Sequence, residues 1–281
     1  MRNLTLWLLS TVIAISSCKK ENSDNDDMPV TMLNVSYGTR AQQKLDAYLP
    51  TGRSSTATKV IIIIHGGGWD TGDKSGFNEY VDSLKKREPA YAIFNLNYRL
   101  ARTPDLFPAQ EQDIKTAVEF IYNKRSEYLI SDKFVLIGAS AGAHLALLQG
   151  YKYSIPVKPK AIIDFFGPTD LIELYNNPSN PLVQPLLVSV TGATPTSNNT
   201  LYSQSSPINF ISPQSPPTMI LHGGMDITVP SSQSDLLNAR LIIAGVTRQY
   251  ISYPTEGHGW VGANLTDSFD KILAFLAANV Q

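Results

Sequence analysis

Three segments of the sequence combine residue types that acyl-transfer chemistry needs. The apolar run 134–137 leads into Gly138-Ala139-Ser140-Ala141-Gly142, and a helical stretch over 143–148 follows. A serine between a strand and a helix, with small residues around it, can sit on a turn too tight for larger side chains. Ser140 is therefore the expected nucleophile. The run Val60–Ile64 ends in His65-Gly66-Gly67-Gly68-Trp69. Attack on a carbonyl creates an oxyanion that needs preorganised N–H donors, and consecutive glycines let a backbone approach and aim its amides. Gly67 and Gly68 are the expected donors, with the Ala141 N–H as a third. His258 stands between Gly257 and Gly259, after the last expected strand, where a glycine-flanked loop can carry it to Ser140 as general base.

The other three histidines read as structural. His65 opens the glycine segment and should brace it. His144 lies four residues past Ser140 on the same helix, directed away from the reacting bond. His222 ends a strand. No pair has the H-E-x-x-H spacing or another zinc-ligand spacing, and the glycines match neither a P-loop nor a dinucleotide fingerprint. No metal and no cofactor is expected.

These residues need a scaffold that delivers them to one place. Val60–Ile64 is a continuous β-branched run, as expected of a central parallel strand covered on both faces. Similar runs lie at 91–96, 134–137, 161–166, 218–221 and 249–253, while 32–37 and Lys44–Leu49 alternate more and suggest an antiparallel start. Helical spacing lies between them. Phe77, Tyr80, Val81 and Leu84 form one stripe. Ile114, Ala117, Val118 and Ile121 form another, with Pro108 near its start. Phe269, Ile272, Leu273 and Leu276 form a third, with Thr266 as expected N-cap. Alternating strands and helices predict an α/β domain with a mostly parallel central sheet and helices on both faces. Reactive groups then collect beyond the carboxyl ends of the strands. Residues 171–217 break the rhythm with Pro, Asn and Ser, and are expected to form a lid or pocket wall rather than a second domain. Trp69 and parts of this insertion are the expected walls of the pocket.

HGGGW, GASAG, then Asp226 in HGGMDITVP and His258 in EGHGW together resemble the α/β-hydrolase superfamily, within it the HGGG-type esterases and lipases. KLDAYLP (44–50), HGGGWDTGDK (65–74) and NYRL (97–100) are especially similar to small bacterial feruloyl and acetyl esterases acting on plant polysaccharide. The resemblance runs from about Asn34 to the C-terminus and follows the order Ser, Asp, His. It favours Asp226 as the residue that orients His258. Asp164, within a strand, and Asp170, past the next strand end, are the rivals.

Residues 1–17 read as a signal peptide: Arg2, an apolar core from Leu4 to Ile15, then Ser16 and Ser17. This core of twelve residues, broken by Thr5, Ser10 and Thr11, is short for a membrane span. Cys18, the single cysteine, follows where a bacterial lipobox would place a lipidated residue. Residues 18–29 form a polar tether, and 30–281 the catalytic domain. The tether's acidic run resembles surface-export tethers of some Gram-negative lipoproteins. From Met28 onward there are 20 basic and 20 acidic residues, and a neutral body without a basic run excludes a nucleic-acid footprint. The expected protein is an exported lipoprotein of the outer membrane, periplasmic or surface-facing, held through Cys18. Its expected activity is serine-dependent hydrolysis of short-chain acyl or hydroxycinnamoyl esters. Its expected substrate is a small-molecule or oligosaccharide ester. Three other readings stand beside it. HGGGW differs by one residue from the H-G-G-x-W of aryl formamidases, which opens formamide hydrolysis. A binding module on this fold and a true lipase are the others.

Overall fold

The computed structural model describes residues 28–281. The expected signal peptide, Cys18 and most of the expected tether lie outside the described residues.

The described chain opens with β1 (Val30–Ser36), β2 (Lys44–Leu49), β3 (Val60–Ile64), α1 (Asn78–Arg87) and β4 (Ala92–Leu96). Then come α2 (Ala109–Asn123), α3 (Arg125–Tyr128), β5 (Phe134–Ala139), α4 (Ala141–Lys152) and β6 (Ala161–Phe165). The insertion supplies α5 (Leu171–Asn176), α6 (Val183–Thr191) and α7 (Asn199–Gln204). β7 (Thr218–Gly223), α8 (Ser232–Ile243), β8 (Arg248–Tyr253) and α9 (Gly262–Asn279) close the chain. The strands form one sheet of eight in the order β1-β2-β4-β3-β5-β6-β7-β8. β2 runs antiparallel to both β1 and β4, and all other pairs are parallel.

β3 shows why its sequence does not alternate. Val60, Ile62 and Ile64 enter the core beneath α2, α4 and α8, while Ile61 and Ile63 enter a second core beneath α1 and α9. Each fully buried side chain of this size contributes roughly 1.5–3 kcal/mol through removal from water. The two cores hold the carboxyl ends of β3, β5, β6, β7 and β8 along one edge of the sheet. The opposite pole receives the start of the described chain: Val30 pairs with Leu49, and Tyr48 with Ile93 near the beginning of β4.

Two expectations are corrected. Thr266 does not cap the last helix, which begins at Gly262 with Val261 as its N-cap. Buried Leu265 extends the Phe269–Ile272 stripe one turn backward, so packing carries the helix past the threonine. The stripe at Phe77 is not one helix either. Phe77 ends a 3-10 turn, Lys74–Phe77, before α1 begins. The insertion is more regular than its composition suggests. Val183, Leu187 and Val190 lie at helical spacing on α6 and join the core shared by α2 and α4.

Candidate active site

Ser140 sits at the junction of β5 and α4 with φ 54° and ψ −122°, a conformation unfavourable for a residue with a side chain. Its neighbours explain how the turn is held. A Cβ on Gly138 would lie 2.3 Å from the Gly142 carbonyl oxygen, and one on Gly142 would lie 2.1 Å from that of Ile64. The two glycines let the turn close on itself and against the end of β3. Replacing either with alanine would force backbone against backbone.

Ser140 Oγ lies 2.9 Å from His258 Nε2, and His258 Nδ1 lies 2.7 Å from Asp226 Oδ2. Asp226 Oδ1 accepts the N–H groups of Thr228 at 2.8 Å and Val229 at 3.0 Å. Its carboxylate is fully buried, while the His258 ring is part-exposed toward the cavity. Burial alone would raise the Asp226 carboxyl. Hydrogen bonds from His222 and His258, the nearby His258 charge and the Thr228 N–H together hold it well below the usual carboxylate range. Phe166 packs on His258 with ring centroids 4.7 Å apart. This chain of contacts can pass a proton from a serine hydroxyl to an imidazole braced by an anion.

The glycine loop abuts the serine: a Cβ on Gly66 would lie 3.3 Å from Ser140 Cβ. Gly67, at φ 110°, and Gly68, at φ 57°, line the same cavity as Ser140. Ala141 is the first residue of α4, where amides lack an intrahelical partner. Among the described residues, none of these three N–H groups bonds to another backbone carbonyl. Trp69 borders the cavity, but its indole N–H donates to His144 Nδ1 at 3.1 Å, so it offers a ring wall and no free donor.

The rivals for the acid are occupied elsewhere. Asp170 caps α5, accepting from the N–H groups of Ile172 and Glu173. Asp164 is fully buried, with Oδ1 accepting the Gly167 N–H and Oδ2 without a partner among the described residues. Burial pushes its carboxyl up to about 7, against the pull of the Gly167 N–H and His222. A carboxyl raised on folding adds stability below its unfolded value that is lost as pH rises through the folded one. Asp164→Asn, which cannot ionise, should therefore gain Tm relative to the parent as pH rises from about 4 to about 7. Melting curves that stay parallel across that window would sink the idea.

Of the remaining histidines, His65 stacks on Tyr98 at 4.3 Å and donates from Nδ1 to the Gly66 carbonyl. His144 is buried and bonds the Ser205 carbonyl through Nε2, with burial lowering it to about 4. His222 Nε2 lies 3.2 Å from Asp226 Oδ2, a contact that the strand-end reading missed. The spacing H-G-G-x-D was its only signal. Also missed were the braces of the glycine loop. Buried Lys74 pairs with Asp46 at 2.8 Å. Its backbone is held by Asn95 and Asn97, and the Tyr98 hydroxyl donates to the His65 carbonyl. These residues lie in or beside KLDAYLP, HGGGWDTGDK and NYRL, which resemblance singled out without a mechanism.

The cavity above Ser140 has a volume of about 590 Å³. Leu174, Val183, Leu186 and Leu187 of the insertion form its apolar wall, and Asp70 and Asp73 stand on a polar side.

A family model described as BD-FAE matches residues 45–241. Esterase LipQ of Mycobacterium tuberculosis (strain ATCC 25618 / H37Rv) is 29% identical over 215 residues, covering 72% of this chain and 50% of LipQ. The chain spans about half the length of the first curated relatives it matches. Kynurenine formamidase avaC of Aspergillus versicolor is 33% identical over 170 residues, a shorter span covering 54% of this chain and 58% of avaC. A solved structure described as a bifunctional GH43-CE protein of Bacteroides eggerthii superposes with a TM-score of 0.79 at 25% identity. It covers 89% of this chain and 35% of that one. With the sheet order, these likenesses establish the α/β-hydrolase fold.

Proposed function

As the chain belongs to the BD-FAE family, we propose that it is a serine-dependent carboxylic ester hydrolase acting on short-chain acyl or hydroxycinnamoyl esters. The observation that carries this reading is the hydrogen-bonded series Ser140–His258–Asp226 on the floor of a cavity edged by the glycine loop. Ser140 Oγ attacks the ester carbonyl carbon and its proton passes to His258 Nε2. The N–H groups of Gly67, Gly68 and Ala141 receive the oxyanion. Collapse expels the alcohol, which takes the proton from His258. Water, deprotonated by the same nitrogen, then cleaves the acyl-enzyme and restores Ser140.

The substrate reading has two supports. Leu174, Val183, Leu186 and Leu187 offer an apolar wall for an acyl or aromatic group, and Asp70 borders the same cavity with a carboxylate that suits a sugar hydroxyl. The similarity of KLDAYLP, HGGGWDTGDK and NYRL to polysaccharide-directed esterases points the same way. A series of p-nitrophenyl esters tests it. Rates should be high from acetyl to butyryl and fall steeply beyond about eight carbons. A maximum on the palmitoyl ester, or activation at an oil–water interface, would make the protein a lipase. Labelling by a fluorophosphonate separates a working serine from a binding module, and N-formyl aromatic amines test the formamidase reading.

The expected lipid on Cys18 fits the same picture. The described chain enters the sheet at the pole opposite the serine. Cys18→Ser should move the protein from the membrane fraction to the soluble fraction with unchanged specific activity. A native protein already soluble, with an N-terminus beyond Cys18, would remove the anchor.

A further inference from the structure

His222 has more partners than a histidine that merely fills a strand end. It is fully buried near the end of β7, with Nδ1 2.7 Å from Ser234 Oγ. Its Nε2 lies 2.9 Å from the Val229 carbonyl oxygen. A carbonyl only accepts, so Nε2 carries the proton. That N–H is aimed chiefly at Val229, and Asp226 Oδ2 lies 3.2 Å from the same nitrogen. Oδ2 is also the oxygen that faces His258 Nδ1 at 2.7 Å. Val229 completes a ring. Its carbonyl is held by His222, while its N–H donates to Asp226 Oδ1 at 3.0 Å. His222 thus bears on both carboxylate oxygens, on Oδ2 directly and on Oδ1 through the backbone of Val229.

We propose that His222 is a positioning residue that locks the rotation of the Asp226 carboxylate, so that Oδ2 stays directed at His258. The proposal rests on the roles given above to Asp226 and His258. The carboxylate must keep its direction while His258 gains and loses a proton, and a fixed N–H beside Oδ2 opposes its turning away. Ser234 clamps the far side of the ring, and the Phe166 edge faces it, with centroids 6.5 Å apart.

Two polar substitutions separate positioning from filling. Gln at 222 can place an amide N–H where Nε2–H stands. Asn reaches only the Nδ1 place, so it can meet Ser234 but not Val229 or Asp226. His222→Asn should lower kcat on p-nitrophenyl acetate roughly 10- to 100-fold, with KM nearly unchanged, because a small misdirection of a catalytic group is costly. His222→Gln should recover most of the loss. The second readout needs no substrate: the low-field proton resonance of the His258–Asp226 hydrogen bond. It should stay in place in His222→Gln and shift or vanish in His222→Asn, with circular dichroism confirming that both are folded. Wild-type kcat and an unmoved resonance in folded His222→Asn would overturn the proposal. Equal losses in the two variants with the resonance unmoved would overturn it as well. Failure of the underlying esterase reading appears separately, as a wild-type protein that neither hydrolyses esters nor reacts with a fluorophosphonate.

Discussion

Ser140→Ala is expected to lower kcat on p-nitrophenyl acetate by roughly 10⁴-fold or more, with the protein still folded. The substitution removes only Oγ, the atom 2.9 Å from His258 Nε2. Alanine keeps the Cβ and can hold the same turn, so Tm should change little. His258→Ala should match the loss, since without the imidazole the hydroxyl keeps its proton. Groups that act as a unit are not additive, so the double variant should be about as impaired as either single one. Activity in folded Ser140→Ala within about tenfold of the parent would mean that another group attacks the ester.

The second large effect concerns the acid. Asp226→Asn should lower kcat by roughly 10⁴-fold, because it favours the wrong imidazole tautomer. The reason lies in the partners of each oxygen. Oδ1 receives two backbone N–H groups, from Thr228 and Val229, so the amide oxygen of asparagine must stay there. The amide NH₂ then replaces Oδ2 and faces His258 Nδ1. That nitrogen must accept, which moves the ring proton to Nε2, and Ser140 loses its base. Asp170→Asn serves as the control. Asp170 caps α5, and asparagine caps a helix about as well, so this variant should stay near wild type. The opposite pattern, with Asp170→Asn impaired and Asp226→Asn active, would reassign the acid.

Much of the scaffold was legible in the sequence because burial leaves a local record. A strand covered on both faces must be apolar at every position, as Val60–Ile64 is, and a helix on a sheet must repeat its apolar residues at helical spacing, as α2 does. Ser140 and the glycine loop were legible for a related reason: close backbone approach demands small residues, and these stand next to one another in the chain. The start of α9 was not legible, because Leu265 wins by packing against the far core and no local cap signals it. α6 was obscured by the Pro, Asn and Ser around it.

The sequence by itself determined which residue types stand at strand ends, and therefore which chemistry the protein can attempt. Only the tertiary structure decided the partners. Asp226 and Asp170 both follow strand ends, and in one dimension only resemblance favours Asp226; the fold separates them by turning one toward His258 and setting the other on a helix N-terminus. His222 and His258 are both histidines beside glycines. Folding buries the first against Ser234 and Val229 and leaves the second part-exposed beside Ser140. Asp46 and Lys74, 28 positions apart, become a buried pair. A hydrogen bond depends on distance and direction in space, and for residues far apart in the chain the packing of the two cores against the sheet sets both.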